Sequence, residues 1–199
     1  MFSILRATIL TALVPAAVLC APQKRATSAP KEPFQLYAYG KDIGGFPLFY
    51  NKGLAFAGNP DKSAANDSNA AVVSFVTGDN NAWVGSPVNK TTDWNNVTLF
   101  VPTNATQDTR VGFLPSSNGG NSSIETTGFS FYGNTGMVIK PDGTVEMLFT
   151  GLVIDAEIVQ VYWNDTSSGQ VPITLRSMAP SSPPPSVPAT PLEPANPNA

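Results

Sequence analysis

The chain has 199 residues with 14 acidic and 11 basic side chains, one cysteine and no histidine. The missing histidine excludes nucleophilic hydrolysis of the Ser-His-Asp and Cys-His kinds, and it removes the usual ligands of zinc and copper. The acidic balance, without clusters of lysine and arginine, argues against binding to nucleic acid or to an anionic membrane.

Residues 1–20 have the pattern of a secretory signal peptide. Arg6 supplies the positive charge, and an apolar run of about 13 residues follows it, from Ala7 to Leu19. A helix needs roughly 20 residues to cross a bilayer, so this run is too short for a membrane span. We expect cleavage after Cys20; the alternative interpretation is a buried N-terminal helix.

A dibasic pair, Lys24-Arg25, lies in the polar segment 21–32 that follows. The pair resembles a processing site for secretory-pathway proteases of the kexin type, and the alternative is two solvated charges. Both cuts together would leave a chain that starts at Ala26, with 8 basic and 14 acidic residues and no cysteine. Without a disulfide, its stability must come from the core, and residues 33–179 are long enough to form one domain.

Apolar and polar residues alternate with a period of two in several short segments, which predicts half-buried strands. Turn residues separate these segments, and helical periodicity is scarce. We therefore expect an all-β domain, an antiparallel sandwich or barrel of about ten strands with little helix. The inward-facing residues are predicted to be Phe34, Leu36, Ala38, Val97, Leu99, Val101, Phe129, Phe131, Val145, Met147, Phe149, Val171, Ile173 and Leu175.

Two turns are predicted to close hairpins. Lys140-Pro141-Asp142-Gly143 combines a proline, a side chain that bonds back to the backbone and a glycine for the left-handed position. The segment 164–169 would close a second hairpin, between 157–163 and 170–176. Helical spacing of Ile154, Ile158 and Val161 offers an alternative there, but the β-branched and aromatic residues of 158–163 favour a strand.

Six Asn-x-Ser/Thr acceptors for N-glycans lie in segments that are predicted to be loops or strand entrances. They predict a glycoprotein of the secretory pathway. The acceptors are Asn66, Asn89, Asn96, Asn104, Asn121 and Asn164.

Residues 180–199 contain eight prolines and little apolar surface. This composition predicts a disordered or polyproline-like tail. A glycolipid anchor would need a hydrophobic C-terminal stretch, so we expect a secreted protein that is extracellular or associated with a cell wall.

Carboxylate chemistry is the catalytic class that this composition allows. A glycosidase needs two acids facing each other across a cleft, and Glu146 with Glu157 or Asp155 is the candidate pair. Glu146 alternates with apolar neighbours, however, as a plain solvent-facing residue does. A calcium site from Asp61, Asn66 and Asp67, or from Asp155 and Glu157, lacks a dense acidic spacing, so we expect no metal and no other cofactor.

Carbohydrate binding needs exposed aromatic rings beside small polar side chains. Trp83 and Trp94 lie among such residues and are the candidate stacking platforms; the alternative is that each ring is buried at one end of the domain. Tyr37 and Tyr39 face away from Leu36 and Ala38 and would extend the platform; the alternative is that they face a second sheet.

The motifs FQLYAYG from Phe34, GFPLFY from Gly45, TGFSFYG from Thr127 and WNDT from Trp163 resemble an uncharacterised family of small secreted proteins of filamentous ascomycete fungi. The resemblance covers roughly residues 33–179. It implies a fungal secreted protein and carries over no activity and no catalytic residue.

These observations together predict a non-catalytic, N-glycosylated extracellular protein of a cell wall or matrix, with polysaccharide as the expected ligand. The alternatives are a carboxylate-dependent glycoside hydrolase and a host-directed effector that acts on a host surface protein. A cleft with two acids would favour the hydrolase, and exposed tryptophans on one face would favour a lectin-like module.

Overall fold

The structure is a computed structural model that describes residues 32–63, 68–103, 106–116 and 121–181. The predictions for the signal peptide, Cys20, Lys24-Arg25, Asn66, Asn104 and the tail beyond residue 181 lie outside these ranges. The described chain forms strands and two single turns of 3-10 helix, at Pro60–Lys62 and Asp79–Asn81. The strands are β1 (Phe34–Gln35), β2 (Tyr37–Gly40), β3 (Ile43–Asn51), β4 (Leu54–Gly58), β5 (Ala71–Thr77), β6 (Trp83–Pro87), β7 (Val97–Pro102), β8 (Gly112–Pro115), β9 (Ile124–Glu125), β10 (Phe129–Tyr132), β11 (Thr135–Ile139), β12 (Val145–Glu146), β13 (Phe149–Asp155), β14 (Ile158–Trp163) and β15 (Val171–Arg176).

Ten of these strands close into an antiparallel barrel. Around the barrel the order is β2, β3, β5, β6, β7, β8, β4, β14, β13 and β15, and β15 pairs with β2 to close it. The other five strands extend it: β1 pairs with β5, β9 with β7, and β10, β11 and β12 form a flap that joins the barrel through β15. The all-β prediction is confirmed, and the barrel is the form it takes.

The hairpin of β3 and β4 also pairs across this ring. Leu48 lies opposite Ala57, and Asn51 opposite Leu54, while the first half of β3 pairs with β2. The long strand β3 therefore pairs with β2, β4 and β5, and the barrel is divided into two smaller rings that share this hairpin.

A large cluster of buried apolar side chains fills the interior, and a smaller one contains Phe49, Ala70 and Ile158. Period-two alternation produces the large cluster, as predicted: Leu36, Ala38, Leu99, Val101 and Leu175 have no exposed surface. Ten strands leave room for large side chains, and aromatic rings occupy much of it.

The predicted orientation of Val145 and Met147 is wrong. Val145 is 50% exposed and Met147 54% exposed, whereas Glu146 turns inward toward Lys140. The reason is that β12 contains only two residues, so the chain leaves the strand before Phe149 enters the core at the start of β13. The hairpin of β11 and β12 therefore presents apolar side chains to solvent and charged ones to the protein.

The first predicted turn is confirmed in detail. The N–H of Thr144 donates to Oδ1 of Asp142 at 2.9 Å, the N–H of Gly143 donates to the carbonyl of Lys140, and Gly143 has a φ of 86°. Glycine suits this left-handed region because it has no Cβ, and asparagine tolerates the region better than most residues do.

The second predicted hairpin is wrong, although the segment 158–163 is a strand and not a helix. Strand β13 lies between β14 and β15 and pairs with both, so residues 164–169 form a connection over β13. On its other side β15 pairs with β2, and Pro172 stands where the pairing passes from β13 to β2.

Candidate functional site

Trp83 lies in the core. Its side chain has no exposed surface, and its ring stacks on Phe129 and Phe131 at centroid distances of 5.0 and 4.8 Å. Phe34 meets the same ring edge-on at 5.4 Å. Strand β6 turns Trp83 inward, so the residue anchors the flap to the barrel and cannot offer a face to a ligand.

Trp94 is also buried, with 7% of its surface exposed. Its ring stacks on Tyr50 at 4.3 Å, and its indole N–H donates to the carbonyl of Asn69 at 2.7 Å. The small polar residues around both tryptophans supply turn and backbone contacts, and the exposure that a stacking platform requires is absent at both positions.

Tyr37 and Tyr39 do point outward, because Ala38 between them is fully buried. The two rings differ in what surrounds them. The guanidinium of Arg176 lies 5.5 Å from the ring centroid of Tyr39, within cation–π range. The hydroxyl of Tyr39 donates to the carbonyl of Met178 at 2.8 Å. Tyr39 therefore holds the segment that follows β15 in place, and Tyr37 is the aromatic residue that lines open space.

An open groove of about 310 Å³ lies beside Tyr37. It forms where the start of β1, the middle of β5 and the segment after β15 meet. The groove is lined by Pro33, Phe34, Gln35, Tyr37, Ser74, Ser177 and Ala179.

Hydrogen bonds fix the walls of the groove. The hydroxyl of Tyr37 donates to Oε1 of Gln35 at 3.0 Å, and this orients the amide and the ring together. The N–H of Ser177 donates to the carbonyl of Asn134 at 2.9 Å. Phe34 forms the apolar floor, where it stacks on Phe75 and meets Phe131 edge-on. Phe34, Gln35, Tyr37 and Ser74 lie on strands, so this part of the groove is preformed and needs little ordering before a ligand binds.

The lining of the groove is neutral. Burial, followed by the proximity of Tyr39, raises the pKa of Tyr37 above its usual value, so the phenol keeps its proton. The amide of Gln35 and the hydroxyls of Ser74 and Ser177 can each donate and accept hydrogen bonds. One aromatic ring beside neutral donors and acceptors suits the hydroxyls and C–H faces of a sugar.

Sequence reasoning identified Tyr37 and missed Gln35, Ser74 and Ser177. A polar side chain two positions from an outward tyrosine is the signal that could have found Gln35. Ser74 and Ser177 carry no local signal, because only the closure of the barrel brings β5 and the end of β15 to the start of β1.

The acids proposed for hydrolysis do not come together. Glu146 contacts Lys140 at 3.2 Å, and Glu157 contacts Lys62 at 3.6 Å. Asp155 is exposed at the tip of the β13–β14 hairpin. The acid that shares a partner with Glu146 is Glu125, whose Oε2 lies 2.7 Å from Nζ of Lys140.

Lys140 remains charged between these two glutamates. Burial lowers its pKa, but the hydrogen bonds that Lys140 donates to Glu125 and Glu146 outweigh burial, so the pKa lies above its usual value. The ammonium of Lys140 binds both carboxylates and so holds β9 against the hairpin of β11 and β12. The role of these charges is to stabilise the fold.

The predicted glycan acceptors in the described ranges are all exposed: Asn89, Asn96, Asn121 and Asn164. Three of them have positive φ, at 52° for Asn89, 51° for Asn96 and 51° for Asn164. Asparagine tolerates this backbone region better than most residues, so these three positions have a reason to be asparagine apart from glycosylation.

Within the described ranges, no group of three or more acidic, cysteine or histidine side chains is placed to hold a metal ion. The same ranges contain no helix that is long and apolar enough to cross a membrane. Comparison with protein-family models, curated proteins and solved structures gives no match to this chain.

Proposed function

We propose that this chain is a secreted, N-glycosylated, non-catalytic protein, associated with a fungal cell wall or extracellular matrix, that binds a neutral polysaccharide in the Tyr37 groove. One observation carries the proposal: an outward tyrosine lies beside an amide and two hydroxyls in a groove whose described lining bears no charge. Such a lining matches the chemistry of a neutral sugar.

Because both tryptophans are buried, neither can belong to the proposed binding site. Binding by stacking must rest on Tyr37, while Phe34 also lines the groove and Tyr39 holds the segment after β15. One ring with a few hydrogen bonds supports a weak interaction at a single site, and a repetitive, insoluble polymer would compensate through many such contacts.

The test is a pull-down of the enzymatically deglycosylated protein on insoluble chitin, β-glucan and cellulose, with an assay for reducing sugar in the same supernatants. We expect retention on one of these polymers without release of sugar. Tyr37→Ala should weaken retention by about tenfold, which corresponds to about 1.4 kcal/mol.

The chain supplies a matched control for this substitution. The hydroxyl of Tyr162 donates to Oε1 of Gln160 at 3.1 Å, two residues away on β14, in the same local arrangement as Tyr37 and Gln35. Tyr162→Ala removes an equivalent ring and hydrogen bond at a distance from the groove, and retention should be unchanged.

Other outcomes would redirect the proposal. Release of sugar that Glu146→Gln abolishes would identify a hydrolase. Failure to bind any of the three polymers would reject the polysaccharide and favour an effector that contacts a host protein. In that case the outward side chains of Ile139, Val145 and Met147 are the first place to look for the contact.

A further inference from the structure

Small polar side chains continue outward from the groove in a straight row across the barrel. Gln35 on β1 lies opposite Ser74 on β5, and Ser74 lies opposite Ser86 on β6. The residues beside them in sequence, Phe75 and Gly85, are buried, so the side chains of the row face solvent.

The register extends the row by two further strands. Val97 on β7 pairs with Gly85 and with Pro115, which places Asn96 beside Ser86 and Ser116 beside Asn96. The N–H of Ser116 donates to the carbonyl of Asn96 at 3.2 Å, as this register requires. Five neutral polar residues thus stand side by side: Gln35, Ser74 and Ser86 lie on strands, Asn96 directly precedes β7 and Ser116 directly follows β8.

An apolar border accompanies the row. Val76 and Val84 pair across β5 and β6, on the same outward face as Ser74 and Ser86, and Val76 is 48% exposed. A row of hydrogen-bonding groups beside an apolar strip is the surface that an amphipathic sugar chain can use, since its hydroxyl edges and C–H faces alternate.

We infer that the ligand of the Tyr37 groove is an extended, unbranched chain of neutral sugars that leaves the groove along the row Gln35, Ser74 and Ser86. The inference rests on the proposed function and specifies its ligand class. Neighbouring strands are about 4.8 Å apart, so the chain would run about 10 Å from Gln35 to Ser86. Serine side chains are short enough to let the chain lie close to the sheet.

Asn96 marks where this track ends. It is a glycan acceptor at the fourth position of the row, and its side chain is exposed. A glycan on Asn96 would occupy the surface beyond Ser86 and limit the length of ligand that the protein can hold. Enzymatic deglycosylation should therefore lengthen the chain that binds best.

The experiment is calorimetric titration of the deglycosylated protein with soluble oligosaccharides of increasing length, cut from the polymer that the pull-down selects. The dissociation constant should fall by about tenfold between the disaccharide and the hexasaccharide and then level off. Ser86→Tyr places a bulky side chain on the track and should abolish this gain while leaving the disaccharide's affinity unchanged. Ser168→Tyr, at an exposed turn after β14, is the matched control and should retain the gain.

The outcomes separate the track from the site itself. An affinity that does not depend on chain length, but still requires Tyr37, would overturn the track and leave the proposed function standing. A gain with length that survives in Ser86→Tyr would also overturn the track. If Tyr37→Ala leaves the affinity for every oligosaccharide unchanged, the proposed site is rejected.

Discussion

At the scale of single residues, the same aromatic side chains serve as core or as surface according to the strand face they occupy. Trp83 is enclosed by Phe34, Phe75, Phe129 and Phe131, and joins the flap to the barrel. Trp83→Ala should lower the free energy of unfolding by about 3 to 5 kcal/mol, because a large cavity replaces a fully buried ring. Chemical denaturation measures this.

The control for Trp83→Ala is Tyr132→Ala, on the same flap. Tyr132 is 67% exposed, so its removal should change the free energy of unfolding by less than about 0.5 kcal/mol. Equal losses in the two variants would contradict the assignment of Trp83 as the anchor of the flap.

A second prediction at this scale concerns Asp165, which follows the exposed Asn164. The hydroxyl of Thr109 donates to Oδ2 of Asp165 at 2.5 Å, and the N–H of Ser167 donates to Oδ1 at 2.9 Å. These bonds, first that of Thr109, hold the pKa of Asp165 below the usual 3.8. Because the pKa of Asp165 is lower in the folded protein than in the unfolded chain, its ionised form stabilises the fold when the pH is above the unfolded-state pKa. This stabilisation is lost as the pH falls through the folded-state pKa.

Thr109→Val tests this linkage. The pKa of Asp165, followed by NMR titration, should rise toward 3.8, while the pKa of Asp142 should stay where its own bond to Thr144 holds it. The difference in stability between the two proteins should be present at neutral pH and should disappear as the pH falls below 3.8. A difference that persists at low pH would mean that Thr109 acts through packing alone.

At the scale of elements, the flap depends on Lys140, which joins β9 to the hairpin of β11 and β12. The side chains of Lys140, Glu125 and Glu146 are 19%, 27% and 24% exposed, so their interaction is only partly screened by water. Lys140→Met should lower the free energy of unfolding by about 2 kcal/mol, because two half-buried carboxylates are left without their cation.

The cause of that loss can be checked by a compensating change. In the Lys140→Met background, Glu125→Gln with Glu146→Gln should recover most of the stability in chemical denaturation, since neutral amides no longer repel each other. If the triple variant is as unstable as Lys140→Met, the loss comes from the packing of the lysine stem.

The elements also show which features a sequence can predict. Alternation predicted the inward faces of β7 and β15, because strand side chains alternate whatever their partners are. It failed at Val145, since the orientation there depends on where a two-residue strand ends. It found Tyr37 and missed Ser74 and Ser177, because the groove exists only after distant strands have paired.

At the scale of the whole molecule, closure of the barrel joins the two ends of the domain. Strand β15 pairs with β2, with Leu175 opposite Ala38, so residues more than a hundred positions apart in sequence become neighbours. The same strand also pairs with β13 and contacts the flap through Arg176 and Thr135. Folding must meet the entropic cost of this long-range pairing before the core is complete, which predicts slow folding.

Truncation tests how far the fold depends on this closure. A chain that ends at Ser181 keeps every described strand, and we expect its thermal unfolding to match that of the full chain. A chain that ends at Gln170 lacks β15, including the buried Ile173 and Leu175, and leaves β2 and β13 as open edges. It should lose the cooperative transition and the near-ultraviolet circular dichroism of packed aromatic rings, and it should aggregate through those edges. A cooperative transition retained by this shorter chain would show that the two smaller rings sharing β3 and β4 are stable without closure.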